Sequence, residues 1–175
     1  MGYNLPNSQL HYTSFNFVAG AAGSNITNIH FHNTEIYVNN TNSIVFDGVS
    51  VTVTDNSVGT EVGIMSIRDD STNITVKNSY FNTNNNGGYS TLVLAGTSYS
   101  TIDNNTIIGS GTVGNLLYLT TYNVANIAED DIELNSYNNI TNNTITGPST
   151  ASGICYGIAL TGHDNLIANN IVNMA

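Results

Sequence analysis

The densest group of potential ligands in the chain is Glu129-Asp130-Asp131-x-Glu133, four carboxylates within five residues. Oxygen-rich sets of this kind suit a hard cation such as calcium, so Glu129, Asp130, Asp131 and Glu133 form a candidate calcium site. The spacing matches no calcium loop, and a solvated acidic loop is the competing reading. His30-Phe31-His32 is a second metal suggestion, because residues two apart on a strand point to the same side, but the sequence shows no third ligand beside them. Asp69-Asp70 and Gly162-His163-Asp164 place further acids and an imidazole in turn-like contexts. Arg68 and Lys77 are the only two basic side chains other than histidine. Tyr99 and Tyr137 each stand three residues ahead of a recurring apolar position, so their rings are expected to stack on an outer surface, as a structural ladder or as a platform for a sugar.

Residues so sparse in charge need an unusual scaffold to hold them. Only 8% of the 175 residues are charged, and Asn, Thr, Ser and Gly take the polar share. Twelve acidic against two basic residues give a formal charge of −10, which repels a phosphate backbone, so nucleic acid is excluded as a partner. The apolar 40% can fill one real core, so disorder is not expected. One cysteine, Cys155, rules out an internal disulfide and reads as a small packed residue. The sequence shows no signal peptide and no apolar run of membrane-spanning length, and membrane insertion of this segment is not expected.

Internal self-similarity decides the architecture. Val76-Lys77-Asn78-Ser79-Tyr80-Phe81, Ile102-Asp103-Asn104-Asn105-Thr106-Ile107, Ile140-Thr141-Asn142-Asn143-Thr144-Ile145 and Ile167-Ala168-Asn169-Asn170-Ile171-Val172 share one pattern: apolar, any, Asn, Asn or Ser, any, apolar. Phe46-Asp47-Gly48-Val49-Ser50-Val51 is a degenerate fifth copy. The anchors Phe46, Val76, Ile102, Ile140 and Ile167 follow one another at similar intervals, apart from a longer one between Ile102 and Ile140. Phe17 precedes Phe46 by a comparable interval and extends the series as an expected first anchor. The acidic run lies inside the long interval, on an expected protruding loop.

Within each repeat the apolar residues alternate, as in Ile36-x-Val38, Val49-x-Val51-x-Val53 and Leu92-x-Leu94, which predicts about three short strands per repeat. Such a unit cannot bury its own apolar face, but coils stacked about 4.8 Å apart enclose a continuous interior. The predicted fold is all-β: a parallel β-helix solenoid of about six coils. Phe46, Val76, Ile102, Ile140 and Ile167 form one predicted interior row, and Val51, Phe81, Ile107, Ile145 and Val172 another. Between the rows the chain must bend, and asparagine tolerates the left-handed backbone a bend requires. Asn78, Asn104, Asn142 and Asn169 are expected to stack as one ladder, with Ser79, Asn105, Asn143 and Asn170 beside them. Outside, Asp47, Lys77 and Asp103 are expected to line up as a column of alternating sign.

Over roughly residues 24 to 173 this wording resembles the right-handed parallel β-helix repeat proteins of the pectin-lyase-like fold, whose coils often read Asn-Asn-x-Ile-x-Asn-Asn-x-Ile. The high Asn and Thr content, the many tyrosines and the scarcity of Lys and Arg look most like the adhesin-like surface proteins of methanogenic archaea. The resemblance implies right-handed coiling. Its enzymatic branch would imply Asn-Thr-Asp, Asp-Asp and Gly-His-Gly motifs on neighbouring coils, since inverting hydrolysis needs an acid and a base on opposite sides of the bond. Here Asp69-Asp70 has no such partner and Gly162-His163-Asp164 lacks the last glycine. A lyase of the family would bring several Lys and Arg, and this chain has two.

The expected function is a non-catalytic adhesin or stalk module, extracellular or on a cell surface, that binds a glycan or a surface protein on its lateral face. A polysaccharide lyase or glycoside hydrolase of the same fold is one alternative, and a purely structural spacer the other. Residues 1–23 read as an irregular segment, a cap or a first coil, and residues 24–175 as the repeats, expected to be a piece of a longer protein able to associate end to end. Asn25, Asn39, Asn73, Asn104, Asn139 and Asn142 open Asn-x-Ser/Thr sequons, about as many as chance gives in a chain so rich in Asn, Ser and Thr.

Overall fold

The computed structural model describes residues 9–11, 14–54, 63–84, 90–110, 115–120, 135–148 and 156–174. They form nineteen strands in three parallel sheets, and the chain visits the sheets in rotation. Sheet I holds β2 (Ser14–Phe17), β5 (Glu35–Asn39), β8 (Gly63–Arg68), β11 (Ser90–Ala95), β14 (Asn115–Thr120) and β17 (Tyr156–Leu160). Sheet II holds β3 (Asn25–Thr27), β6 (Val45–Asp47), β9 (Thr75–Lys77), β12 (Thr101–Asp103), β15 (Asn139–Thr141) and β18 (Leu166–Ala168). Sheet III holds β4 (His30–His32), β7 (Ser50–Val53), β10 (Tyr80–Asn84), β13 (Thr106–Ser110), β16 (Thr144–Thr146) and β19 (Ile171–Asn173), with β1 (Gln9–His11) ahead of them on β4. Each strand pairs only with its counterparts one coil before and one coil after, so the chain is a parallel β-helix of about six coils.

Register follows the sequence pattern. Phe46 pairs with Val76, Val76 with Ile102, Ile102 with Ile140, and Ile140 with Ile167, which makes the first interior row. Val51, Phe81, Ile107, Ile145 and Val172 pair in turn as the second. The row before Phe46 corrects one expectation. Phe46 pairs with Ile26, whereas Phe17 belongs to sheet I and pairs with Val38. Ile26-Thr27-Asn28-Ile29-His30-Phe31 is therefore the first copy of the pattern, and it stands closer to its successor than any later copy does. The regular interval from Phe17 to Phe46 is coincidental.

Phe31, Phe46 and Phe81 are among the largest fully buried side chains. At the N-terminal end Phe15 and Phe17 lie 5.0 Å apart, and Phe17 meets Phe46 edge-on at 5.2 Å. Every copy of the bend between sheets II and III has a left-handed residue at the same place: Asn28, Gly48, Asn78, Asn104, Asn142 and Asn169, with φ between 51° and 66°. At Gly48 a Cβ would lie 2.7 Å from Asn28 Oδ1, so this copy of the bend has no room for a side chain there. No helix among the described residues is long and apolar enough to cross a membrane.

Candidate functional site

The corner between sheets I and II also turns through a left-handed residue in each coil. Ser43, Asn73, Tyr99, Tyr137 and Asp164 occupy it, with φ of 54° to 58°. The isolated bridges Asn42 to Thr72, Thr72 to Ser98, Ser98 to Ser136 and Ser136 to His163 fix these residues as one column, one per coil. A left-handed residue at a corner throws its side chain outward, and tyrosine there is sterically disfavoured because of its Cβ. Two coils nonetheless place tyrosine at it. The rings of Tyr99 and Tyr137 lie parallel, 8° between planes and 5.1 Å between centroids, and Tyr99 is 58% and Tyr137 47% exposed. His163 continues the row, meeting Tyr137 at 86° and 5.9 Å, and its Nδ1 lies 2.9 Å from Asp164 Oδ2.

This exposed ledge of two phenols, an imidazole and a carboxylate runs along the rod axis. Aromatic pairs at this separation gain about 0.5–1.5 kcal/mol beyond burial. The facing sides of the two tyrosines cover one another, so a ligand would meet the rim of the stack and its polar neighbours. Of these residues sequence reasoning singled out the tyrosines and left His163 as a surface residue. Its position shortly ahead of the anchor Ile167, in a coil whose corner residue is Asp164, was the available signal.

The asparagines next to the bends divide into an outer and an inner set. In the outer set Asn104 Nδ2 donates to Asn78 Oδ1 at 2.8 Å, while Asn78 and Asn142 donate to Asp47 and Asp103. Asn169 shares the left-handed backbone and is likewise exposed. In the inner set the Asn143 Oδ1 accepts from the Asn105 backbone N–H and side-chain amide, both at 3.0 Å, and the Asn170 Oδ1 accepts the same pair from Asn143 at 2.9 Å. Each inner amide also donates back to a carbonyl of the coil before: Asn105 to Val76, Asn143 to Ile102 and Asn170 to Ile140. An equivalent row at the other corner was missed. There the Asn138 Oδ1 accepts from Ser100 N–H at 2.9 Å and the Asn165 Oδ1 from Asn138 N–H at 3.0 Å. Ser100, Asn138 and Asn165 all stand two residues before an anchor, a regularity visible in the sequence.

On the outer face of sheet II, Asp47, Lys77 and Asp103 form one column, with Lys77 Nζ 3.3 Å from Asp47 Oδ2. The Asn78 amide, and after it Lys77, hold the Asp47 carboxyl below its ordinary value. For Asp103 the Thr141 hydroxyl and then the Asn142 amide do the same. On the outer face of sheet I, Arg68 Nε donates to Asn39 Oδ1 at 3.0 Å, its guanidinium carbon lies 5.0 Å from the centre of the Tyr37 ring, and the Tyr37 hydroxyl donates to Glu35. Asp69 and Asp70 follow as left-handed turn residues, φ 54° and 62°.

Glu129, Asp130, Asp131 and Glu133 lie outside the described residues. Among the described side chains no three His, Cys, Asp or Glu stand together as a metal group. No protein-family model, no curated protein and no solved structure matches this chain. The coil geometry and its surface residues therefore carry the functional reading.

Proposed function

We propose that this chain is a non-catalytic β-helix module of an extracellular or cell-surface protein, adhesin-like and of the pectin-lyase-like kind, that displays a glycan-binding ledge on its lateral face. The observation that carries the reading is the stacked Tyr99–Tyr137 pair, held half-exposed at a backbone position that disfavours tyrosine and extended by His163 and Asp164. Ring edges offer apolar contact to sugar C–H groups, while phenol, imidazole and carboxylate supply the few polar contacts that orient a ligand. A solenoid suits the task of display, since each coil adds length without altering its neighbours.

A glycan array, run with and without calcium because of the acidic run at 129–133, tests the reading. Tyr99→Asn with Tyr137→Asn keeps side chains that tolerate the left-handed corner and removes only the rings. Binding that disappears in this double variant supports the ledge. Binding that survives it, or no binding by the parent chain, removes the support for a glycan-binding face.

A further inference from the structure

The outer face of the N-terminal end carries a histidine arrangement that the strand register completes. His30 and His32 flank the buried Phe31 on β4 and so share the outer side of sheet III. Their rings stand 6.5 Å apart between centroids at 77°. The His30 Nε2 is buried and has no hydrogen-bond partner, which costs free energy for a ring nitrogen unless something else engages it. β1 lies on β4 with Gln9 opposite His30, Leu10 opposite Phe31 and His11 opposite His32. His11 thus holds the register position beside His32, one strand spacing of about 4.8 Å away. Two histidines at i and i+2 on one strand and a third beside them on the next form a triangle of ligand positions, the number of imidazoles that zinc accepts while keeping a fourth position open.

We propose that His11, His30 and His32 bind one divalent transition metal ion of the zinc class, and that this ion staples β1 to β4. Neutral imidazole is a borderline-soft ligand that selects such ions over calcium or magnesium. The position gives the staple a purpose: β1 is the outermost strand of sheet III, paired on one side only, and end strands of this kind fray or recruit other chains. A metal bond to the strand beneath fixes it in register. Asn82, two coils further along the His32 row, is too remote to share the ion at about 4.8 Å per coil.

Titration of the metal-free chain with Co²⁺ and Zn²⁺ tests this. One Co²⁺ per chain with the intense visible bands of a tetrahedral nitrogen site is expected, displaced by Zn²⁺ and not by excess Ca²⁺. His11→Gln, His30→Gln and His32→Gln should each weaken binding by at least about tenfold, more than the loss of a merely supporting contact. Zn²⁺ should also slow amide exchange at residues 9–11. Binding that His11→Gln leaves unchanged, bands of an oxygen-ligated site, or displacement by Ca²⁺ would overturn the proposal. Should a variant fail to fold, paramagnetic broadening in the parent chain decides: broadening centred on residues 9–11 and 30–32 supports the site, and broadening centred elsewhere refutes it.

Discussion

The two halves of the rod solve the same bend with different chemistry. At the inner corner positions the N-terminal coils place Ile29 and Val49 on one side and Ile44 and Ile74 on the other, with Val49, Ile44 and Ile74 essentially fully buried. The C-terminal coils place Asn105, Asn143 and Asn170, and Asn138 and Asn165, at those positions. Serine joins the two regimes. Ser79 Oγ accepts from Val49 N–H while Ser79 N–H donates to Asn105, and Ser100 stands in the same way between Ile74 and Asn138. One backbone path thus accepts either an apolar filler or an amide, provided the amide is satisfied from the coils on both sides. An aliphatic corner contributes through packing and is indifferent to small shifts in register, whereas an amide ladder works only when each coil sits one strand spacing from the next.

The comparison is broken most severely in the apolar half. Phe46→Ala removes a fully buried ring at the junction of two coils and is expected to cost about 3–5 kcal/mol in urea unfolding. Loss of only ~1 kcal/mol would mean that the N-terminal coils are loosely packed. In the amide half, Asn143→Ala strips the acceptor from the Asn105 backbone N–H and the donor from the Ile102 carbonyl, and should cost about 2–4 kcal/mol by leaving these buried groups unpaired.

Outer-ladder changes sharpen the contrast. Asn142→Ala is expected to cost about 1 kcal/mol, mostly because alanine resists the left-handed backbone, and Asn142→Gly should restore most of it. If Asn142→Gly were as damaging as Asn143→Ala, the outer amides would carry the stability assigned here to the inner ones. The smallest effect is electrostatic. Asp47 and Asp103 have carboxyls held below their ordinary values, so their contribution is fully present above the unfolded pKa of about 3.9 and fades as pH falls through the lowered folded values. Unfolding midpoints followed from about pH 6 downward should fall below about pH 4, and Asp103→Asn should flatten part of that slope.

Much of this architecture is legible in the sequence because parallel coils repeat their environment, so an identical bend selects an identical residue each time. The rows through Val76, Ile102, Ile140 and Ile167, and the three-strand rhythm, follow from that. The first coil is harder to read, since Ile29 and Val49 replace the Asn or Ser that marks the bend and only Asn28 preserves the signal. The corner between sheets I and II has no shared residue type, because Ser43, Asn73, Tyr99, Tyr137 and Asp164 satisfy its left-handed backbone by different means. What aligns them is hydrogen bonding between coils, which spacing alone does not reveal when successive coils differ in length. The closeness of His11 to His32 is hidden for the same reason, being a matter of register between two strands of different sheets' turns along the chain.

The central claim, that inner asparagines hold one coil on the next by accepting a backbone hydrogen, is tested most directly by residue-resolved amide exchange in Asn143→Ala. The Asn105 amide, which donates to the Asn143 side chain, should lose its protection, while the Asn104 amide, which donates to the Thr141 carbonyl, should keep it. An Asn105 amide that exchanges no faster in the variant than in the parent chain would contradict the account.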